Sequence, residues 1–341
     1  MSHVIAVDPA QPDDATIRRA AELIRAGQLV AFPTETVYGL GANALDARAV
    51  ASIFAAKGRP AKNPLIVHVA DAAGARSLVR AWPPAAARLA ERFWPGPLTL
   101  VLPKRSVVPD IVTAGRGTVA LRVPASNIAL ALLRAANCPI AAPSANPSGR
   151  LSPTRAEHVR AALAGRVALI LDGGPTRAGI ESTVVDLSHS PPQILRPGPI
   201  PPSDIAALAG PLVDQPIAGA PFGDASAGLP APGMLDRHYA PRAALYCCDR
   251  DLERRAAAAL AAGNRVGVLV ITPRDLSPSP GLIIEAMPRE PAEYARLLYD
   301  TLHRLDAAGV DVVLVESPPT GDAWWAIRDR LQRAAHDEER D

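Results

Sequence analysis

Four short polar segments contain the side chains that could bind a charged substrate: PTETVYGLG at 33–41, KGRPAKNP at 57–64, APSANPSG at 142–149 and GIESTVVD at 179–186. The second segment brings three cations within six positions, which suits an anion such as phosphate. The third combines small side chains with uncharged hydrogen-bonding groups, so a ligand can approach its backbone closely. Arg196, shortly after the fourth segment, is a further candidate partner for phosphate. These residue types predict a site that binds and orients charged substrates.

The motifs of covalent and metal-dependent catalysis are absent from the sequence. It contains no G-x-x-x-x-G-K-[ST] phosphate loop, no G-x-S-x-G nucleophile elbow and no H-E-x-x-H zinc site. Cys138, Cys247 and Cys248 have neither the spacing of zinc ligands nor that of a disulfide framework. We therefore expect no side-chain nucleophile and no redox or organic cofactor, and the sequence identifies no resident metal.

The charges are unevenly distributed along the chain of 341 residues, although the net charge is only +2. Residues 1–200 contain 22 Lys and Arg against 13 Asp and Glu, whereas residues 201–341 contain 14 against 21. The basic part is therefore the expected location of an anion-binding site. Neither a run of 18 apolar residues nor a signal peptide is recognisable, so we expect a cytoplasmic protein without a membrane segment.

The polar segments are expected to lie beside strands and helices that hold them in place. An apolar strand at 29–32 leads into the first segment, a helix at 46–57 precedes the second, and a strand at 65–69 follows it. Further strands are predicted at 98–102, 118–123, 139–142, 167–171, 183–187 and 193–195, and further helices at 84–93, 127–136, 154–163 and 203–209. Because these elements do not alternate strictly, they predict an α/β fold with a mixed sheet and flanking helices.

The composition divides the chain into three parts. Residues 1–210 form the predicted first domain, and residues 211–241 form a Pro- and Gly-rich linker. Residues 242–341 alternate strands and helices more regularly, which predicts a smaller, Rossmann-like α/β domain. This last part shows neither a dinucleotide-binding glycine motif nor a group of catalytic residues.

Six segments in this order resemble the YrdC-like family: PTETVYGLG, KGRPAKNPLIVHV, FWPGPLTLVL, APSANPSG with SPTRAEHV, GIESTVVD and ILRPG. With the linker PGMLDRHYAP and the C-terminal α/β domain, the whole chain resembles the two-domain form of that family. The resemblance implies a twisted mixed sheet with flanking helices around a basic cavity. It also implies a reaction of L-threonine, bicarbonate or CO2, and ATP that yields threonylcarbamoyl-AMP and pyrophosphate.

The resemblance further implies Mg²⁺ carried by ATP, partner proteins that transfer the threonylcarbamoyl group to tRNA next to the anticodon, and a possible contact with tRNA. The threonine site would consist of Thr36, His68, Arg122, Ala142 and Ser182. The ATP site would consist of Lys57, Arg59, Asn63, Thr118, Ser144, Asn146, Ser152, Arg196 and Tyr239, with Tyr239 as part of a lid formed by the linker. The chain departs from the family pattern at Ala231, Leu235 and Asp236, which leaves a phosphate contact from these positions open.

Two other functions are compatible with parts of this pattern. The basic first half would also suit a module that binds double-stranded RNA or tRNA without turnover, but aromatic residues make up only 4% of the chain and do not interleave the basic segments. A carbamoyl transferase of the hydrogenase-maturation type would bring acylphosphatase-like and Cys-rich zinc segments, which this sequence lacks. The enzyme that forms threonylcarbamoyl-AMP is therefore the favoured interpretation.

Overall fold

The computed structural model describes residues 3–213, 229, 231, 238–274 and 276–336. Two of the three departures from the family pattern, Leu235 and Asp236, lie outside the described residues. Within the described part, no helix is long and apolar enough to cross a membrane. The chain forms one sheet of ten strands and a second sheet of four, each with helices packed against it.

The first sheet has the strand order β1-β8-β2-β3-β7-β4-β6-β5-β9-β10. Its strands are β1 (His3–Ala6), β2 (Val30–Pro33), β3 (Tyr38–Asn43), β4 (Ile66–His68), β5 (Leu98–Pro103), β6 (Thr118–Arg122), β7 (Ile140–Ala141), β8 (Leu169–Asp172), β9 (Thr183–Asp186) and β10 (Gln193–Arg196). Its helices are α1 (Asp14–Arg25), α2 (Ala47–Lys57), α3 (Ala72–Ser77), α4 (Pro84–Phe93), α5 (Asp110–Thr113), α6 (Asn127–Ala136), α7 (Ala156–Leu163) and α8 (Pro202–Ala209). Parallel pairs such as β4 with β6 occur beside antiparallel pairs such as β5 with β6, which confirms the predicted mixed sheet.

The second sheet is parallel throughout and has the order β11-β14-β12-β13. Its elements are β11 (Ala244–Cys248), α9 (Leu252–Ala261), β12 (Val266–Val270), β13 (Leu282–Ala286), α10 (Pro291–Ala308), β14 (Val312–Glu316) and α11 (Asp322–Ala334). The layered, parallel arrangement agrees with the predicted α/β domain, and β14 is inserted between β12 and β11. The Trp324 ring packs edge-on against Tyr294 in the apolar core of this domain.

The helix preceding the second polar segment is well defined by its ends. Asp46 caps α2 by accepting hydrogen bonds from the backbone N–H groups of Arg48 and Ala49. Gly58 ends the helix in the left-handed conformation, with φ of 59°. The two caps determine where the helix stops, and they therefore place Lys57 and Arg59 at the start of the segment that enters the site.

The first polar segment is not a loop throughout, as the sequence analysis implied. Its second half forms β3, which pairs antiparallel with β2. A Cβ on Gly41 would lie 2.7 Å from the Phe32 ring, and a Cβ on Gly39 would lie 3.3 Å from Ala142. The two glycines therefore allow close packing of neighbouring strands, and they do not form a phosphate-binding turn.

The two domains pack tightly against each other. One apolar cluster combines Val37, Leu151 and Ile180 of the first domain with residues of α10 and α11. The Arg155 side chain donates a hydrogen bond to Asp300 of α10, with 2.6 Å between Nε and Oδ1. The second domain consequently covers the part of the first domain where polar segments 33–41 and 179–186 lie.

Candidate active site

A small cavity lies where the four polar segments meet. Its free volume is about 50 Å³, which is far below the roughly 300–1,000 Å³ of typical ligand pockets. Eight of the fourteen predicted site residues line it: Thr36, Arg59, His68, Arg122, Ala142, Ser144, Arg196 and Tyr239. The fold therefore brings together segments that are more than 150 positions apart in the sequence.

Five more of the predicted residues lie one hydrogen bond behind this lining. Asn63 accepts a hydrogen bond from Arg59, Ser182 accepts one from Arg196, and Ser152 bonds to Glu181. Lys57 donates hydrogen bonds to the backbone oxygens of Ser144 and Asn146. Lys57 and Asn146 are thus the fourth and fifth residues of this group. Thr118, the remaining predicted residue, is not in the lining: it begins β6, four residues before Arg122, which corresponds to roughly 13 Å along the strand.

Buried cations dominate one part of the cavity wall and the layer directly behind it. Arg59 and Arg196 are 8% and 5% exposed, and Lys57 is 3% exposed. Burial lowers the pKa of Arg59 to about 9, and burial together with the charge of Arg59 lowers the pKa of Lys57 well below its ordinary value. Such groups gain most from a bound anion, because an anion offsets the cost of burying their charge. Lys62, the third cation of this segment, is exposed and outside the lining.

The opposite side of the cavity carries an arginine, a neutral histidine and two hydroxyls. His68 and Arg122 are register neighbours on the parallel strands β4 and β6. Burial, helped by the charge of Arg122, lowers the pKa of His68 to about 3, so the imidazole is neutral at physiological pH. Its Nδ1 has no hydrogen-bond partner among the described residues. Thr34 and Thr36 are hydrogen-bonded to each other through their hydroxyls, 2.8 Å apart.

Arg122 is already paired in this structure. Its Nη2 lies 2.8 Å from Oε1 of Glu35, and its Nε donates to the backbone oxygen of Gly96. The other oxygen of Glu35 accepts a hydrogen bond from the backbone N–H of Ala125. This pair holds the guanidinium of Arg122 at a defined position at the cavity wall.

Arg196 and Ser182 form a second fixed pair. Nε and Nη2 of Arg196 donate to the backbone oxygen of Ser182, and Nη2 also lies 3.0 Å from its hydroxyl. The Ser182 hydroxyl is 2.8 Å from that of Thr99 on β5. Two strands and the segment that precedes β9 therefore orient this corner of the cavity.

Several residues that line the cavity had no predicted site role, namely Thr34, Val37, Gly39, Ile66, Pro143, Glu181 and His238. Glu181 is the most consequential of them because it is a buried carboxylate. Its Oε1 is 2.5 Å from the Ser152 hydroxyl, and its Oε2 accepts hydrogen bonds from Arg330 (2.8 Å) and Tyr299 (3.2 Å). Burial would raise the pKa of Glu181, but the charges of Arg330 and Arg196 outweigh it and lower the pKa to about 2.

The C-terminal domain therefore supports a residue of the cavity wall, Glu181, from behind. Arg330 and Tyr299 belong to α11 and α10, whereas the sequence predicted no functional group within 242–341. Arg330 was not recognisable as a functional residue from the sequence, because an arginine beside an aspartate in a helix is typical of a solvated helix face. Only the packing of α11 against the first domain turns Arg330 inward.

The end of the linker closes the cavity. Tyr239 is 1% exposed, adopts the left-handed conformation with φ of 63°, and lines the cavity together with His238. Its ring lies 4.9 Å from the guanidinium carbon of Arg330. Burial lowers the pKa of His238 to about 3. The predicted position of Tyr239 over the cavity thus matches the structure, and its role as a lid stays a prediction.

No cluster of three or more His, Cys, Asp or Glu side chains suited to a metal ion occurs among the described residues. Glu181, a carboxylate of the lining, has both oxygens hydrogen-bonded to protein groups, and Glu35, which lies behind Arg122, is paired with that guanidinium. The described lining thus offers cations, hydroxyls and a neutral imidazole to a ligand.

Comparison with known proteins agrees with this site. Residues 22–198 match the family model Sua5_yciO_yrdC, described as "Telomere recombination", and residues 201–336 match the model "Threonylcarbamoyl-AMP synthase, C-terminal domain". The chain is 47% identical to the threonylcarbamoyl-AMP synthase of Pyrococcus abyssi over 326 residues, which cover 94% of each chain. It is 45% identical to the Bacillus subtilis protein of the same name, over 96% of this chain and 95% of the relative.

A solved structure shows the same two-domain architecture. The structure of Pyrococcus abyssi Sua5 complexed with L-threonine superposes with a TM-score of 0.89 at 44% identity, and the match covers 98% of both chains. The two family models together span every strand of both sheets except β1, and they include all the residues that line the cavity. On the evidence of its sequence, its fold and this cavity, the chain belongs to the two-domain threonylcarbamoyl-AMP synthase family.

Proposed function

We propose that this protein is a nucleotidyltransferase that forms L-threonylcarbamoyl-AMP from L-threonine, bicarbonate or CO2, and ATP, and releases pyrophosphate. The observation that carries the proposal is the cavity lined by Arg59, Arg122 and Arg196 together with the neutral His68 and hydroxyl groups, whose described lining residues include no activated nucleophile. Such a site suits a reaction in which the substrates themselves supply the nucleophile and the leaving group. The family membership gives independent support.

The reaction needs positioning and charge stabilisation more than covalent participation by the protein. The amine of threonine adds to CO2 and loses a proton, which gives a carbamate. A carbamate oxygen then attacks the α-phosphorus of ATP, a new O–P bond forms, and the bond to the β-phosphate oxygen breaks. Pyrophosphate leaves with the negative charge, which nearby cations stabilise.

Arg122 is the group that we propose for the carboxylate of threonine. A guanidinium can bind a carboxylate through two parallel hydrogen bonds, and Glu35 holds this one in place. His68, neutral and with a free Nδ1, is suited to the hydroxyl or amine of threonine. Thr36, Ala142 and Ser182 complete the proposed threonine site.

The nucleotide would lie against the cations of the second segment and β10. Arg59, Arg196 and Lys57 are proposed to face the phosphates, with Asn63, Ser144 and Asn146 holding them. Because an ionised carboxylate has no proton, Ser152 must donate its own to Glu181. We therefore propose that the hydroxyl oxygen of Ser152 accepts a hydrogen bond from a ribose hydroxyl or a base amine of the nucleotide.

We propose that Mg²⁺ enters as part of the ATP complex, since the carboxylates at the cavity are engaged. Mg²⁺ commonly keeps several waters and binds substrate phosphates, so it needs no cage of protein ligands. ATP also needs far more room than about 50 Å³, and the proposed lid with Tyr239 must therefore move when the nucleotide enters. When the lid closes again over the bound nucleotide, it would exclude water from the labile carbamate and the mixed anhydride.

The deciding experiment measures pyrophosphate release from Mg-ATP with L-threonine and bicarbonate omitted in turn. We expect release only when all substrates are present, and release that ignores threonine would contradict the proposal. RNA binding without turnover has weaker support, because Arg59, Arg122 and Arg196 are buried and cannot form a contact surface for a duplex. Proteins that transfer the threonylcarbamoyl group to tRNA in the cytoplasm would consume the product.

A further inference from the structure

Arg330 of α11 connects the second domain to two parts of the cavity. Its side chain is completely buried and makes a different contact with each of its nitrogens. Nε donates to Oε2 of Glu181 (2.8 Å), and Nη2 donates to the backbone oxygen of Pro197 (2.9 Å). Nη1 donates to Asp329 (2.6 Å), and the guanidinium lies over the ring of Tyr239. One side chain thus touches the cavity wall, the turn after β10 and the linker.

We propose that Arg330 is a positioning residue of the catalytic cavity, which holds the Glu181 carboxylate and the Tyr239 ring in place from across the domain interface. The proposal rests on the proposed function of the cavity. It assigns the C-terminal domain a part in nucleotide binding, although that domain would supply no group that touches the substrate.

The charge of Glu181 explains why this contact matters for the nucleotide. The carboxylate is 6% exposed and lies in the cavity lining beside Arg196. A buried charge that loses its partner either takes up a proton or recruits another cation. Without Arg330, the Glu181 carboxylate would form an ion pair with Arg196. The cavity would then lose available positive charge where the phosphates are proposed to bind.

The contact with Tyr239 adds a second consequence. A cation above an aromatic face is attracted by the ring quadrupole, and the attraction is stronger when both groups are buried, as they are here. Tyr239 also stands in a strained backbone conformation, which neighbouring contacts must maintain. Loss of Arg330 would therefore loosen the end of the linker as well as the cavity wall.

The test compares Arg330→Met with Arg333→Met in the full-length protein. Arg333 lies on the same helix and its side chain bonds to the same Asp329, whereas the contacts with Glu181 and Tyr239 are made by Arg330. Affinity for a non-hydrolysable ATP analogue is measured by calorimetry, and kcat and KM are measured by pyrophosphate release. We expect Arg330→Met to weaken nucleotide binding about 10- to 100-fold, and Arg333→Met to stay within about twofold of wild type.

A double variant separates positioning from a general loss of structure. In Glu181→Gln/Arg330→Met the neutral amide no longer recruits Arg196, so most of the lost nucleotide affinity should return. In Arg330→Met alone, nucleotide affinity should recover as the pH falls, because Glu181 without its main counter-charge takes up a proton more readily and then no longer recruits Arg196. A merely structural role for Arg330 would produce neither effect.

The proposal is overturned if Arg330→Met binds the nucleotide as well as Arg333→Met does, or if Glu181→Gln restores nothing. If Arg330→Met does not fold, Arg330→Lys takes its place: it keeps the charge but loses the three-way contact, and we expect an intermediate loss of nucleotide affinity. Wild-type protein that binds the nucleotide without threonine-dependent pyrophosphate release would refute the proposed function, while the binding comparison would still decide the role of Arg330.

Discussion

Replacing Gly179 by alanine should disturb the contact between the domains, whereas the same change at Gly174 should not. The two glycines have nearly the same φ, 74° and 77°, so an added Cβ causes similar backbone strain of roughly 1 kcal/mol at both positions. Their surroundings differ. A Cβ on Gly179 would lie 2.4 Å from the backbone oxygen of Ala295 and from Cα of Arg296, whereas nothing lies within 4 Å of a Cβ on Gly174.

The structure sets the expected size of the difference. Ordinary contacts of a Cβ begin near 3.4 Å, so α10 or the segment at Gly179 must move by about 1 Å. Overpacking of this kind costs about 1–3 kcal/mol beyond the backbone strain. For a chain of 341 residues the entropy of unfolding is roughly 0.7 kcal/mol per degree. Gly174→Ala should therefore lower Tm by roughly 1–2 °C, and Gly179→Ala by roughly 3–6 °C.

Calorimetric unfolding of the two variants measures this difference directly. Gly179→Ala should also reduce pyrophosphate release more than Gly174→Ala does, because Glu181 follows two residues later and bonds to α10 and α11 of the second domain. Equal Tm shifts in the two variants would refute the reasoning, since they would show that the contact between Gly179 and α10 contributes nothing beyond backbone strain.

Three further outcomes are expected. In the folded protein His68, His158 and His238 are neutral, with pKa values of about 3, 4 and 3. As the pH falls below about 6.5, these histidines therefore take up protons in the unfolded chain before they do so in the folded protein. The free energy of unfolding should consequently decrease by up to about 4 kcal/mol per pH unit. Thermal melts between pH 7 and 5 check this, and a constant Tm would contradict it. Arg122→Lys should raise KM for threonine about tenfold or more at unchanged nucleotide affinity, because an ammonium cannot bind a carboxylate in a fork; equal losses for both substrates in steady-state kinetics would argue against the assignment. Ser152→Ala should destabilise the protein by about 1–3 kcal/mol in denaturant titrations, since it leaves a buried oxygen of Glu181 without its donor, and wild-type stability would rule this out.

Most individual elements of the fold were predictable from local patterns. The strands around the polar segments are short apolar runs, and their ends carry Pro, Gly or capping residues that act within a few positions. Helix α2, with Asp46 and Gly58 at its ends, is one example. The short elements β1, α3 and α5 were not predicted. Strand β3 was missed because its glycines suggested a turn, and only the neighbouring Phe32 and Ile140 side chains show why no Cβ is accommodated at Gly41.

The residues of the cavity were predictable for a different reason. Substrates that carry a carboxylate and a triphosphate require guanidinium, ammonium and hydroxyl groups, and these stand in recognisable segments of the first domain. Arg59, Arg122 and Arg196 accordingly line the cavity. Thr118 lies about 13 Å along β6 from Arg122 and outside this lining, and its assignment to the ATP site stays a prediction.

The class of chemistry follows from residue types and local spacing, because these decide which ligands a segment can bind. The pairing of the charges depends instead on how distant parts of the chain pack together. Glu181 and Arg330 are 149 positions apart, and no local pattern links a carboxylate before a strand to an arginine in the last helix. Their pairing follows from the packing of α11 against the first domain, where desolvation makes a buried carboxylate depend on a counter-charge. The buried ion pair of Glu181 and Arg330 thus connects the second domain to the cavity, and local sequence does not specify which side chains become buried.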